Sequence, residues 1–121
     1  MSGVDFLDTN VVLYAWDPAA PDKQRIARDL LRRALDGGAV VSIQVLAEFA
    51  SALLHKKKPP AAPDQLQAAL EAMRPIRTIA PDNSPIQRAV EARAAHGIHF
   101  YDALIVASAE RAACSRIFPR I

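Results

Sequence analysis

Three acidic side chains lie far apart in the sequence, at points where an alternating α/β fold would bring carboxylates together. Asp8 follows Phe6 and Leu7 at the tip of a short apolar segment, Glu48 lies on a predicted helix, and Asp102 begins an apolar helical segment. Close carboxylates cannot all ionise without a cation, and hard oxygen ligands favour Mg²⁺ or Mn²⁺ over zinc. The chemistry expected of such a cluster is metal-assisted hydrolysis of a phosphodiester.

Each acid also has an ordinary structural interpretation. Asp8, Thr9 and Asn10 are all residue types that favour a helix N-cap. Glu48 is also explained as an exposed helix glutamate. The segment after Asp102 is apolar on all sides, which predicts a buried helix, and an unpaired carboxylate buried at its start would be costly. Asp102 is therefore expected to be either a metal ligand or the cap of that helix.

The segments that must position these acids alternate between strands and helices. Strands are predicted over 4–7, 39–43, 76–80 and 115–118, and the third has the half-polar alternation of a sheet edge. Helices are predicted over about 11–16, 22–35, 44–55, 64–73, 84–96 and 102–109. This alternation predicts an α/β fold with a parallel sheet covered on both faces.

Length and composition indicate one globular domain. The 121 residues are 51% hydrophobic and 23% charged, and the formal net charge of +2 is weak evidence for a polyanionic partner. Cys114 has no second cysteine with which to form an internal disulfide. Because the sequence contains neither a signal-peptide pattern nor an apolar run of about 18 residues, we expect a cytoplasmic protein outside the membrane.

Three segments together resemble the ordered signatures of PIN-domain ribonucleases, especially VapC-type toxins of bacterial toxin–antitoxin pairs. The segments are Asp8-Thr9-Asn10, Val45-Leu46-Ala47-Glu48-Phe49 and His99-Phe100-Tyr101-Asp102-Ala103-Leu104-Ile105. Each motif alone is weak. Their order and spacing across nearly the whole chain make the combination specific.

The resemblance implies a three-layer α/β/α domain with a central parallel sheet, RNA cleavage with Mg²⁺ or Mn²⁺, a homodimer, and a protein antitoxin that blocks the cleft. Carried over by position, Asp8 and Asp102 would be direct metal ligands, and Glu48 would bind the metal directly or through water. Asn10 would orient the loop of the first aspartate. Ser42 and His99 would support these ligands or contact the substrate.

One departure from the family concerns the end of the sequence. After the strand over 115–118, the family usually continues with a Thr/Ser-Glu-Asp-like segment that supplies a fourth acid, and then with a last edge strand. Here the sequence reads Pro119-Arg120-Ile121. This difference predicts a C-terminally short domain with at most three metal-binding carboxylates and attenuated activity. A catalytically impaired PIN domain that only binds antitoxin or RNA is the alternative.

A flavodoxin-like regulatory domain, with an acidic pocket that holds Mg²⁺ for phosphorylation, is a further interpretation. It requires adjacent acids near the N-terminus and a lysine after a late strand. Asp5 and Asp8 are not adjacent, and no lysine follows Lys58. These two departures disfavour it.

Overall fold

The structure, a computed structural model, describes residues 3–114 and 116–118. The strands are β1 (Asp5–Leu7), β2 (Ala39–Ser42), β3 (Thr78–Ile79) and β4 (Arg116–Phe118). The helices are α1 (Thr9–Tyr14), α2 (Pro21–Leu35), α3 (Ile43–Ser51) with a π-helical continuation (Ala52–Lys56), α4 (Pro63–Met73), α5 (Asn83–His96) and α6 (Phe100–Arg111). The predicted order of strands and helices is confirmed. Ser115 and Pro119-Arg120-Ile121, on which the expectations about the C-terminus depend, lie outside the described residues.

The four described strands form one parallel sheet in the order β3-β2-β1-β4. The two central strands are buried and, apart from Asp5 and Ser42, apolar; Phe6, Leu7, Val40 and Val41 are at most 1% exposed. This is the residue pattern of strands that are covered on both faces. β3, which the sequence predicts at a sheet edge, lies at one edge of this sheet.

The helices form one layer on each face of the sheet. The chain passes from β1 to β2 to β3 in one direction and then returns across the sheet to β4. Because parallel crossovers are right-handed, this path places α1 to α4 on one face and α5 with α6 on the other. α1 contacts α2 and α3, while α5 packs against α6. The predicted three-layer α/β/α architecture is confirmed.

Helix α6 is less buried than its apolar sequence predicts. Ile105 and Ala109 join the main hydrophobic core, and Ala103 and Leu104 pack with α5. Val106, however, is 48% exposed, so the prediction that this helix is buried on all sides is wrong. One side of α6 packs on the sheet and another packs against α5, so the remaining side faces solvent. In the described part of the chain, no helix is long and apolar enough to cross a membrane.

A buried carboxylate at the start of β1 links three elements. The side chain of Asp5 is 1% exposed and accepts hydrogen bonds from Nε and Nη2 of Arg116 on β4, each at 3.0 Å. Nε of Arg33 on α2 lies 3.1 Å from Oδ2, the oxygen that also accepts from Nη2 of Arg116. A buried charge is costly unless it is paired and hydrogen-bonded. The two arginines therefore allow β1 to carry an acid in the centre of the sheet.

Replacing Asp5 tests this arrangement. Asp5→Asn keeps the shape of the side chain but removes the charge that both guanidinium groups contact. We expect it to lower the free energy of unfolding by about 1.5–3 kcal/mol, the usual range for hydrogen bonds to charged groups. Urea denaturation measures this loss. Asp36→Asn, at the exposed end of α2, is the control and should change stability by less than about 0.5 kcal/mol. Equal stability of the two variants would contradict the structural role of Asp5.

Candidate active site

The three predicted acids line one cleft at the carboxyl ends of the central strands. Asp8 directly follows β1, Glu48 lies on α3 directly after β2, and Asp102 lies in the first turn of α6. All three are among the lining residues of an open cleft of about 1010 Å³. The fold thus brings to one place three residues that are separated by 40 and 54 positions in the sequence.

Asp8 caps helix α1 and also lines the cleft. It is the N-cap of α1, where its Oδ1 accepts a hydrogen bond of 2.6 Å from the backbone N–H of Thr9. Burial raises the pKa of Asp8, the Thr9 N–H opposes that rise, and the negative charges of Glu48 and Asp102 add to it. The three acids therefore share one electrostatic environment.

Two neutral side chains hold Glu48 in place. Oγ1 of Thr9 donates to Oε2 of Glu48 at 2.7 Å, and Nε2 of Gln44 donates to Oε1 at the same distance. Gln44 also donates to the backbone oxygen of Tyr101 at 3.2 Å, which connects α3 to the start of α6. Neither Thr9 nor Gln44 was predicted as a site residue. The sequence feature that could have identified Gln44 is its position four residues before Glu48, which puts both side chains on the same helix face.

Asp102 is exposed, so the prediction that it begins its helix in a buried environment is wrong. The N-cap of α6 is instead His99, whose Nδ1 accepts a hydrogen bond of 3.2 Å from the backbone N–H of Tyr101. Asp102 occupies the first turn of the helix, where the helix dipole favours a negative charge. Its carboxylate is accessible from solvent without the desolvation cost expected from the sequence.

The remaining predicted residues divide into two groups. Asn10 and His99 line the cleft, and their role near a substrate stays a prediction. Ser42 is fully buried and is not among the lining residues; its Oγ accepts a hydrogen bond of 3.1 Å from the N–H of Val45 and caps α3. Ser42 thus supports the helix that carries Glu48. Lys56 also lines the cleft, and it was not predicted as a site residue.

The cleft suits a hydrated cation better than a fully dehydrated one. Within the described ranges, no three His, Cys, Asp or Glu side chains form a preassembled metal-binding group. The three acids nevertheless supply oxygen donors, and the pKa of Asp8 is raised first by burial and then by the negative charges of Glu48 and Asp102. Mg²⁺ usually keeps several waters and binds only one or two carboxylates directly. Asp8, Glu48 and Asp102 are the residues that would hold such an ion.

Comparison with known proteins identifies the family. The PIN domain family matches residues 6–118. This chain belongs to the PIN domain family. Proteins of this family are generally nucleases. A solved structure described as "Toxin-antitoxin complex from Klebsiella pneumoniae" contains a chain with the same fold: the TM-score is 0.66 at 19% sequence identity, and the alignment covers 96% of this PIN domain and 86% of that chain. No curated protein matches this PIN domain in sequence.

The electrostatics of the cleft predict how Asp8 affects stability. A carboxyl group with a raised pKa in the folded state holds its proton more tightly there than in the unfolded chain. Its contribution to stability is therefore greatest below the unfolded pKa and decreases as pH rises through the folded pKa. We expect Asp8→Asn, which keeps a good N-cap residue, to be more stable than the wild type near pH 7.

Urea denaturation of both proteins between about pH 4 and pH 7 measures the effect. The advantage of Asp8→Asn should shrink as the pH approaches about 4, where the unfolded carboxyl takes up its proton. A large loss of stability in Asp8→Asn at neutral pH would show instead that the charged cap of α1 outweighs the burial and the repulsion that disfavour the charge of Asp8.

Proposed function

We propose that this PIN domain is a VapC-type toxin, an endoribonuclease that hydrolyses RNA phosphodiester bonds with Mg²⁺ or Mn²⁺. The observation that carries the proposal is the shared cleft of Asp8, Glu48 and Asp102, in which the other two acids help to raise the pKa of Asp8. A divalent cation bound there would position the scissile phosphate and lower the pKa of the attacking water.

The contacts of each acid suggest different roles. Asp8 and Asp102 are proposed as direct ligands, because Asp8 lines the cleft directly after β1 and Asp102 lines it with an exposed side chain. Both oxygens of Glu48 already accept hydrogen bonds, which favours contact with the metal through water. Asn10 and His99 are proposed to contact the RNA or the loop after β1. Lys56 supplies a positive charge to the same cleft, where it would attract a phosphate.

We further propose a cognate antitoxin that neutralises the enzyme by covering the cleft. The structural neighbour described as a toxin–antitoxin complex supports such a partner. We also propose that the whole chain is one domain and that the protein acts in the cytoplasm. We propose that it forms a homodimer. Exposed apolar side chains on the α5–α6 layer, among them Val90 at 55% and Val106 at 48%, support self-association.

A PIN domain that binds antitoxin or RNA without cleaving RNA is the second candidate function. It is favoured by one observation: no preassembled group of three metal-binding side chains exists among the described residues. The two candidates predict the same binding partners and differ only in chemistry. A cleavage assay therefore separates them.

The assay compares cleavage of a single-stranded RNA by the wild type and by Asp8→Asn with Mn²⁺. We expect the wild type to cleave and Asp8→Asn to lose Mn²⁺-dependent cleavage, because one proposed metal ligand is replaced by a neutral amide. Asp36→Asn, far from the lining of the cleft, should keep full activity, and a chelator should stop the wild type. RNA binding without cleavage by the wild type would support the second candidate. Equal activity of Asp8→Asn and wild type would place the chemistry outside this cleft.

Thr9 is predicted to act as a positioning residue through Glu48. Thr9→Val keeps the branched shape but removes the hydroxyl that donates to Oε2 of Glu48. We expect weaker Mn²⁺ binding in calorimetric titration and slower cleavage, together with a loss of stability of about 1 kcal/mol. Thr9→Ser restores a hydroxyl and should recover most of the Mn²⁺ affinity. If Thr9→Val and Thr9→Ser bind Mn²⁺ equally well, the hydrogen bond from Thr9 to Glu48 does not contribute to Mn²⁺ affinity.

A further inference from the structure

A second, smaller pocket lies next to the acidic cleft. It has a volume of about 200 Å³ and lies beside the connection from β3 to α5. Ala80 and Pro81, in this short connection, line both this pocket and the acidic cleft. The pocket and the cleft are therefore neighbours. We call it the β3–α5 pocket. Its polar lining is formed by Arg77, Asp82, Ser108 and Arg111.

Ser108 is the most unusual residue of the β3–α5 pocket. It is 1% exposed, and its Oγ has no hydrogen-bond partner among the described residues. A buried hydroxyl without a partner costs free energy, commonly about 1–3 kcal/mol. A ligand with an acceptor oxygen would give this hydroxyl a partner.

The charges around Ser108 favour an anion. The guanidinium group of Arg77 is exposed and makes neither a hydrogen bond nor an ion pair with any described residue. Arg111 forms two hydrogen bonds of 2.8 Å with the carboxylate of Asp82, which also caps α5 by accepting from the N–H of Ser84. Two guanidinium groups and one carboxylate leave the pocket with a net positive charge. Guanidinium groups match the geometry of phosphate oxygens well.

We infer that the β3–α5 pocket binds a backbone phosphate of the same single-stranded RNA that occupies the acidic cleft, through Arg77, Ser108 and Arg111. This inference rests on the proposed function. Asp82 keeps Arg111 in place and reduces the attraction for a free anion, so the pocket binds a phosphate mainly when the RNA is already held in the cleft. The bases of the RNA take no part in this contact, which therefore adds affinity without sequence preference.

Equilibrium RNA binding tests the inference with Ca²⁺ in place of Mn²⁺, so that an oxygen-binding cation still balances the acids of the cleft. Gel analysis of the recovered RNA checks that it stays intact. Arg77→Gln should raise the Kd on the order of 3- to 10-fold and should make the plot of log K against log salt shallower by roughly 0.7, the loss of one single-strand phosphate contact. Arg74→Gln is the matched control. Arg74 is exposed, lies three residues away and pairs with Glu71 outside the pocket, so its loss should leave the salt slope unchanged.

Ser108→Ala provides a test that does not depend on charge. It removes a buried hydroxyl without a described partner, so the variant should be as stable as the wild type or more stable. It should nevertheless bind RNA more weakly, since the phosphate loses a donor. A hydroxyl with only a structural role would leave the RNA affinity unchanged.

Inorganic phosphate separates a free anion from the RNA backbone. If the backbone amides of Ser108 and Arg111 shift saturably with phosphate in NMR spectra, but Arg77→Gln and Ser108→Ala bind RNA like the wild type, the pocket takes free phosphate and the inference is overturned. Unchanged RNA binding without any phosphate response overturns it as well. In both cases the loss of cleavage in Asp8→Asn still decides the proposed function independently.

Discussion

The buried ion pairs of Asp5 are the interaction on which the position of the cleft depends. β1 contains only three residues, lies between β2 and β4, and ends directly before Asp8. Such a short strand has few ladder hydrogen bonds with which to fix its register. The contacts from Arg33 and Arg116 add a charged anchor that joins β1 to α2 and β4. Any slip of β1 would separate Asp5 from these partners and move Asp8 away from the cleft.

At the other end of β1, three carboxylates line one cleft. Asp8 is partly buried near Glu48 and Asp102, and its raised pKa shows that this environment disfavours its charged form. Hydrogen bonds from Thr9 and Gln44 hold Glu48 without neutralising its charge. The carboxylates at the two ends of β1 therefore differ in how their charge is compensated. Asp5 is paired with arginines, whereas the acids of the cleft retain their capacity to attract a cation.

The sequence predicted what local patterns determine and missed what long-range contacts determine. The apolar residues before Asp8 indicated a strand tip, and Glu48 was predicted on the helix that follows the second strand; both locations lie at the cleft. The pairing of Asp5 with Arg116 joins residues 111 positions apart and leaves no periodic signal. The exposure of Asp102 was missed for a similar reason. Its helix is apolar on all sides, and only the packing of α5 and the sheet determines which side faces solvent.

The formal net charge of +2 conceals a strongly uneven distribution of charge around the cleft. An acidic cleft repels the phosphates of RNA, so a strand that enters it needs compensating cations within about one Debye length, roughly 8–10 Å at physiological salt. Lys56 lies on the cleft itself, and Arg77 lines the adjoining pocket beyond Ala80 and Pro81. A divalent ion would compensate the acids only at the centre. Flanking basic side chains would have to hold the rest of the strand, which is why the affinity for RNA should depend on residues that the three carboxylates do not touch.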